Sequence, residues 1–385
     1  MKKHVCILAF SPILRDARVL RQIEYLHPHY DLTVIGYGEP HPDWQDKVEW
    51  VTIDRGQGIG RLLSIAFWLV LGRLWNGIYD YRFRTRRQNR EAYEHAVKSG
   101  ANAFLANDWS TLPIAVRAAQ TNDAKVVFDA HEYGPLQDET FVFRILMKPQ
   151  AHYVLKKYSL LVDRSLTVCY PIAERYKKEY GLNPAVIMSA PKRQEAPISD
   201  VVPDRIRLIH HGYAMRRRQP EKMIEIVEFL DNRFELYLMF LGDQKYITSL
   251  KTLANKIAKG RVYFIEPVSP ENIVETIAKY DIGVVFLPPT TYNLLMALPN
   301  KLFDAVNANL AIFTGASPSI KEIIERYNLG VVSPSFEIMD AAKTLNALTT
   351  QQIITMKQNA REASKVLNAD VELSKLVTIY RELIG

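Results

Sequence analysis

The feature that most constrains this chain is an alternation of short β-branched runs with longer stretches of helical period. "HVCILAF" leads into "DARVLRQIEYLH" and then "DLTVIGYG"; "NAFLAND" leads into "STLPIAVRAAQ" and "KVVFDAHE"; "SLTVC" precedes "PIAERYKKEYG" and "PAVIMSA". Strand–helix–strand order with near-continuous apolar strands implies a parallel sheet covered on both faces. At 190–205 the pattern stops: "APKRQEAPISDVVPD" holds three prolines, mixed charges and no period, as a linker does. It then restarts with "RIRLIHHG", "PEKMIEIVEFL", "FELYLMFLGD", "ITSLKTLANKIA", "RVYFIEP", "PENIVETIAKY", "DIGVVFLPP", "NKLFDAVNA", "LAIFTG" and "SIKEIIERYN". The expectation is two doubly wound α/β halves. Ligands of such sheets sit beyond the carboxyl ends of the strands, so the halves are expected to face each other across a closable cleft.

Composition narrows the class. The 385 residues suffice for two cores, and 48% apolar with 24% charged residues is globular composition. The net charge of +7, from 49 bases and 42 acids, suits a protein that meets phosphates or an anionic surface without choosing between them. Cys6 and Cys169 lie in apolar strand-like runs and read as buried thiols of a reducing compartment. Nothing has metal-ligand spacing, and no secretory leader is recognisable. The longest apolar run, "LLSIAFWLVL" at 62–71, is too short to span a bilayer at about 1.5 Å per residue. "AFSPILRDAR" after the first strand contains no glycine, against a G-x-G-x-x-G dinucleotide turn.

Five stretches at strand ends or helix starts carry candidate chemistry. In "PNKLFDAV", 299–306, Pro299 fits a first helical turn, whose N–H groups and dipole favour an anion. Lys301 there is tolerable beside a phosphate, and Asp304 can accept hydrogen bonds from two vicinal hydroxyls of a ribose. The alternative for Asp304 is an ordinary surface acid. "HHGYAMRRRQPEK", 210–222, puts a glycine and three arginines just after a strand, either as a phosphate fork or as a solvated basic loop. In "FDAHEYGP" strand alternation puts Asp129 and His131 on one face, where an imidazole can take a proton or bind a hydroxyl. "LANDWSTLP" ends a strand with Asn107 and Asp108, and Asp108 or Ser110 is a candidate helix cap. "SPILRDARV" sets Asp16 and Arg18 at a helix start. Each also has a plain structural reading; their common position on one rim is the informative part.

Together, "RDARVLRQIEYL", "ANDWSTLPIAVRAAQTNDAKVVFDAHEYGP", "LTVCYPIAERYKKEYGLNPAVIMSAP" and "LPNKLFDAVNANLAIFTGASPSIKEII" resemble the GT-B glycosyltransferases of family GT4, a retaining group that builds envelope polysaccharides. The likeness covers nearly the whole chain. It implies an acceptor-binding Rossmann-like domain at 1–190, a linker at 191–205, and a nucleotide-sugar domain at 206–365. A final helix at 366–385 is implied to cross back to the first domain. The implied donor site is Gly212, Arg217, Arg218, Gly242, Pro299, Asn300, Lys301 and Asp304. Arg217 best matches the family's phosphate-binding base, with Arg218 next, and Asp304 matches the second acid of the E-x7-E motif. His131 matches the histidine of a D-x-H-E stretch that meets the donor sugar or the reacting hydroxyl. Asp16, Arg18, Asn107, Asp108 and Glu132 are implied acceptor contacts. No metal or other cofactor is implied beyond a UDP- or GDP-sugar co-substrate; arginines take the metal's place. Three positions depart from the pattern. Met296 stands where the first motif acid would be, Asp304 is shorter than the usual glutamate, and Asn309 replaces a common glycine.

The stretch 61–90 is unlike the rest. An apolar run with Phe67, Trp68 and Trp75 precedes five arginines in nine residues, including Arg82, Arg84, Arg86 and Arg87. Such a segment either lies on an anionic membrane or is a buried helix followed by a basic turn. Nucleic-acid binding has little support, because no RNA module is recognisable. The expectation is a metal-independent glycosyltransferase in the cytoplasm, optionally peripheral on the inner face of the plasma membrane, acting on a lipid-linked glycan. The alternatives are an epimerase or hydrolase on the same fold, or a non-catalytic binder of glycan or of a partner protein.

Overall fold

The structure is a computed structural model that describes residues 2–54, 77–138 and 140–385. The chain forms two compact units, residues 1–188 with 372–385, and residues 189–371.

The first unit holds a seven-stranded sheet in the order β3-β2-β1-β4-β5-β6-β7. Its strands are β1 (His4–Pro12), β2 (Asp31–Tyr37), β3 (Glu49–Thr52), β4 (Ala103–Asn107), β5 (Lys125–Ala130), β6 (Arg164–Thr167) and β7 (Ala185–Val186). Every pairing is parallel, with Val5 opposite both Leu32 and Ala103. Central strands are buried on both faces, which is why β1 and β4 read as unbroken apolar runs. The helix Ala369–Ile384 closes this unit. Its Tyr380 is buried against Tyr30, ring centroids 5.9 Å apart, and its Glu372 accepts the Met188 N–H at 2.7 Å.

The second unit repeats the design with six parallel strands in the order β10-β9-β8-β11-β12-β13. These are β8 (Ile206–Tyr213), β9 (Phe234–Leu241), β10 (Val262–Phe264), β11 (Ile282–Val285), β12 (Ala311–Thr314) and β13 (Gly330–Val332). Under its sheet the buried pair Asp281 and Lys357 lies 3.6 Å apart, and Arg207 binds Asp281 from its backbone N–H and its guanidinium. Residues 189–205 have no helix or strand beyond a Val202–Arg205 bridge, yet they are fastened to this unit. Asn309 Nδ2 donates to the Ala196 carbonyl at 2.7 Å, and Ser199 Oγ donates to the Ala278 and Tyr280 carbonyls. Asn309 itself has φ +55°, so the position requires the left-handed backbone that glycine or asparagine adopts. Both cysteines are buried.

Candidate functional site

In each sheet the connections reverse direction beside the first strand, between β1 and β4 and between β8 and β11. The crevice at the carboxyl ends of such a pair is where doubly wound sheets bind ligands. In the second unit the carboxyl end of β8 there carries His210, His211, Gly212 and Tyr213. His210 is 2% exposed; its Nδ1 lies 2.7 Å from the Val284 carbonyl of β11 and its Nε2 lies 3.2 Å from Lys301 Nζ. Lys301 stands in the first turn of the helix Asn300–Asn307, with Pro299 at the N-cap position and no side chain capping that end. Gly212 has φ +123°, and a Cβ there would sit 3.2 Å from Lys301 Nζ. The glycine therefore serves twice, by its backbone conformation and by leaving room for the ammonium. One turn on, Asp304 Oδ2 approaches His211 Nε2 to 3.5 Å without a hydrogen bond.

The electrostatics of this cluster are those of charges held in a half-buried place. Burial, reinforced by Arg218, lowers Lys301 to about 7 against the pull of Asp304. Burial raises Asp304 to about 7 although Lys301 opposes it. Burial and then Lys301 push His211 down to about 3, so its ring is neutral and does not pair ionically with Asp304. His210 is driven well down by burial, then by Lys301. The three arginines form a 3₁₀ turn, Arg216–Arg218, after β8. They divide their duties. Arg216 lies over the Tyr246 ring at 4.1 Å, Arg217 is exposed, and Arg218 is partly buried with its pKa lowered by burial and by Arg217. Arg218, more than Arg217, is thus the guanidinium whose charge reaches Lys301. Gly242, with φ +129°, follows β9 next to Ala214, and Asp243 caps the following helix. Asn300 is exposed at the head of its helix. Met296 ends the short helix Tyr292–Met296, where Ser319 Oγ binds its carbonyl at 2.7 Å. Its thioether is at most a weak acceptor where a carboxylate would accept strongly.

In the first unit the corresponding rim gathers Arg18, Gln22, Asn107, Asp129 and His131. Asp129 is fully buried and binds Arg18 through two hydrogen bonds of 2.7 Å each. Arg18 also donates to the Ile187 carbonyl at 2.8 Å. Gln22 Nε2 donates to Asp129 at 2.6 Å and to Asn107 Oδ1 at 3.0 Å. His131 Nε2 meets the same Asn107 oxygen at 2.9 Å and lies 3.7 Å from Asp129 Oδ2, so the two do share a face. Burial would raise Asp129, but Arg18, His131 and Gln22 outweigh it and hold the carboxyl low. Asp108 is raised, by burial first.

Several first-unit candidates have structural employment. Asp16 is the N-cap of the helix Ala17–Leu26, accepting from Val19 N, and also accepts from Ser11 Oγ at 2.6 Å. The expected capping of the next helix by Asp108 or Ser110 does not occur: Thr111 is the N-cap residue of Leu112–Asn122. Asp108 instead takes φ +64° and accepts the His131 backbone N–H at 3.2 Å. The carbonyl of Glu132 accepts from Tyr176 Oη at 2.9 Å, and the same hydroxyl accepts from Gly134 N at 3.0 Å. Sequence reading passed over His210, Gln22 and Tyr176; the "HH" at a strand's end was the one available signal. Phe67, Trp68 and Trp75 lie outside the described residues. Of the nearby arginines, Arg84 and Arg87 are exposed and Arg86 is half-buried. Arg82 is buried at 8% exposure, with burial and Arg86 lowering it to about 10, so it does not present its head at the surface. Among the described residues no helix is long and apolar enough to cross a membrane, and no cluster of three or more histidine, cysteine or acidic side chains could hold a metal ion.

No protein-family pattern matches the sequence, and no curated protein sequence matches it. Solved structures do match in shape. HepE of Anabaena, solved in complex with UDP, is 13% identical with TM-score 0.68 over 100% of both chains. Sucrose-phosphate synthase from Thermosynechococcus elongatus is 14% identical with TM-score 0.70 over 99% of both. The lipopolysaccharide outer core galactosyltransferase WaaB is 11% identical with TM-score 0.69 over 100% of both. Identities this low speak for the fold alone, and that fold, two doubly wound α/β units with parallel seven- and six-stranded sheets, is the GT-B glycosyltransferase fold.

Proposed function

We propose that this chain is a retaining glycosyltransferase of the GT4 type that moves a sugar from a UDP- or GDP-sugar to a glycan acceptor. The observation that carries the reading is the cluster of Lys301, Asp304, His210 and Arg218 at the carboxyl end of β8. It sets cations beside one carboxylate, the complement of a diphosphate joined to a ribose. In this reading Asp304 accepts the two ribose hydroxyls. Lys301 and Arg218, with Arg217 at the mouth and the Pro299–Asn300 helix start, bind the diphosphate and stabilise the charge that grows on it as the sugar leaves. These cations do the work without a metal. Such preorganised electrostatics is commonly the largest catalytic contribution, and one donor is worth roughly 10²–10³ in rate. His131, held by Asn107 and by the Arg18–Asp129–Gln22 scaffold, meets the donor sugar or the reacting hydroxyl. Asp108 and Glu132 are assigned to the acceptor, whereas Arg18 and Asp16 position their neighbours.

The GT-B relatives support the donor class, since HepE was solved with UDP and with UDP-glucose. Exposed Arg84 and Arg87 support a peripheral position on the inner face of an anionic membrane, with a lipid-linked glycan of the cell surface as acceptor. Met296 favours one second reading, a GT-B protein that binds nucleotide or glycan without transferring sugar. The test is a thermal-shift panel of UDP-, GDP- and ADP-sugars on the wild type and Arg218→Ala, followed by nucleotide release with glycan acceptors. A midpoint raised by a UDP- or GDP-sugar and lost in the variant supports the donor site. Binding without acceptor-dependent release would select the second reading, and no binding of any nucleotide would overturn both.

A further inference from the structure

We infer that His210 is a positioning residue for the diphosphate-binding lysine: the Val284 carbonyl fixes its ring so that Nε2 can only accept, and Lys301 is aimed by donating to it. The inference rests on the proposed donor site and names how that site is set.

The argument begins with the ring nitrogens. A carbonyl oxygen only accepts, so at 2.7 Å from Val284 O the His210 Nδ1 carries the proton. A neutral imidazole then has a bare lone pair on Nε2, and Lys301 Nζ lies 3.2 Å from it. The ring is almost wholly buried, so no water competes for that lone pair. Val284 belongs to β11 and His210 to β8, the two strands that flank the reversal point, so the sheet itself supplies the rigidity. A lysine head normally samples many rotamers. Here one hydrogen is committed to His210, and Gly212 flanks the head where any Cβ would crowd it. The remaining hydrogens are left for an anion entering over β8.

Charge adds a second consequence. The charged groups around Lys301 are Arg218 from the turn after β8 and Asp304 from its own helix, with the neutral rings of His210 and His211 from β8. Because burial and Arg218 favour the neutral amine, an arriving diphosphate reverses the balance and the amine takes up a proton. An acceptor at Nε2 tolerates either form of Lys301, since amine and ammonium both donate. A protonated or Nε2-tautomeric ring would repel the head or turn it away.

Three measurements on the full chain test this. Nitrogen NMR of the histidine rings in unliganded protein should show His210 protonated at Nδ1 and bare at Nε2. Calorimetry with UDP, GDP and inorganic pyrophosphate should show His210→Leu weakened about tenfold for each, one good hydrogen bond's worth. His210→Gln, whose amide can donate to Val284 and accept from Lys301, should stay within about threefold of wild type. Above pH 7, the proton uptake read from buffers of different ionisation enthalpy should fall in the leucine variant and survive in the glutamine one. A merely structural histidine would lower the melting temperature of both variants and leave pyrophosphate affinity and proton uptake alone. Nε2 found protonated, or His210→Leu binding pyrophosphate as wild type does, would overturn the inference. If wild type bound no nucleotide or pyrophosphate, the proposed function would fall. Ring tautomer and the Lys301 titration in His210→Leu would still decide the contact.

Discussion

The same crevice occurs twice in this molecule, once in each unit, and the two are built on opposite electrostatic plans. Beside β1, Asp129 and Arg18 are buried, but each charge is matched by hydrogen bonds that the fold supplies. Beside β8, Lys301 and Asp304 are both pulled to about 7, and their charges are not compensated to the same degree by the protein. A matched ion pair organises a loop and is lost only when one partner is removed. A cluster held near neutrality gains when a ligand supplies the countercharge. In the proposed reading the first rim is a scaffold for His131 and the second is the binding site.

The contrast can be broken most severely at Arg18. Arg18→Ala should cost about 3–5 kcal/mol in urea unfolding, because it strands Asp129 in the interior, and should leave UDP affinity unchanged. A cost under about 1 kcal/mol would mean that the first rim is no scaffold. Arg218→Ala should do the reverse, weakening diphosphate binding by about ten- to a hundredfold in calorimetry while unliganded stability holds. Arg217→Ala should change affinity by no more than about threefold, since an exposed charge is screened; equal effects would erase the division read from the 3₁₀ turn.

The pH dependence follows from the same groups. Asp304 titrates higher in the fold than unfolded, so its contribution to stability is full below about pH 4 and is lost as pH rises to about 7. Lys301 titrates lower in the fold, so its contribution is full above about pH 10 and is lost as pH falls to about 7. Both burdens coincide near neutrality. Asp304→Asn should consequently raise the unliganded melting temperature at pH 7 and above by a few degrees, while losing nucleotide affinity about tenfold. In the wild type, affinity for UDP should peak near pH 7, falling below it as Asp304 protonates and above it as Lys301 deprotonates. A flat profile from pH 5 to 9 would remove these groups from the site. A small effect is expected at Tyr176→Phe, which deletes the hydroxyl joining the Glu132 carbonyl to the Gly134 N–H. A loss of about 1 kcal/mol in stability, with acceptor affinity falling more than donor affinity, would confirm that the clip serves the first rim.

Much of the architecture was legible because both sheets are buried on both faces and therefore announce their strands as apolar runs. The edge strands β3 and β13 were not: "EWVT" is bounded by polar residues, and "GVV" opens on a glycine and stops at Ser333. The helix Lys148–Tyr158 was missed for a similar reason: tyrosines and lysines blur its period. At the sites, Lys301, Asp304 and Gly212 could be found by asking which side chains suit the end of a strand or the start of a helix. His210 could not, because its task depends on a carbonyl in β11, 74 residues away in sequence.

By itself the sequence determined two doubly wound halves and the rims on which polar residues would collect, because periodicity and strand ends are local properties of a chain. Which of those charges are matched by the protein and which are left for a partner in the proposed reading was decided only by tertiary structure. Charge compensation depends on distances between elements remote in sequence, and a guanidinium that is exposed in one arginine and half-buried in the next has the same letter in both.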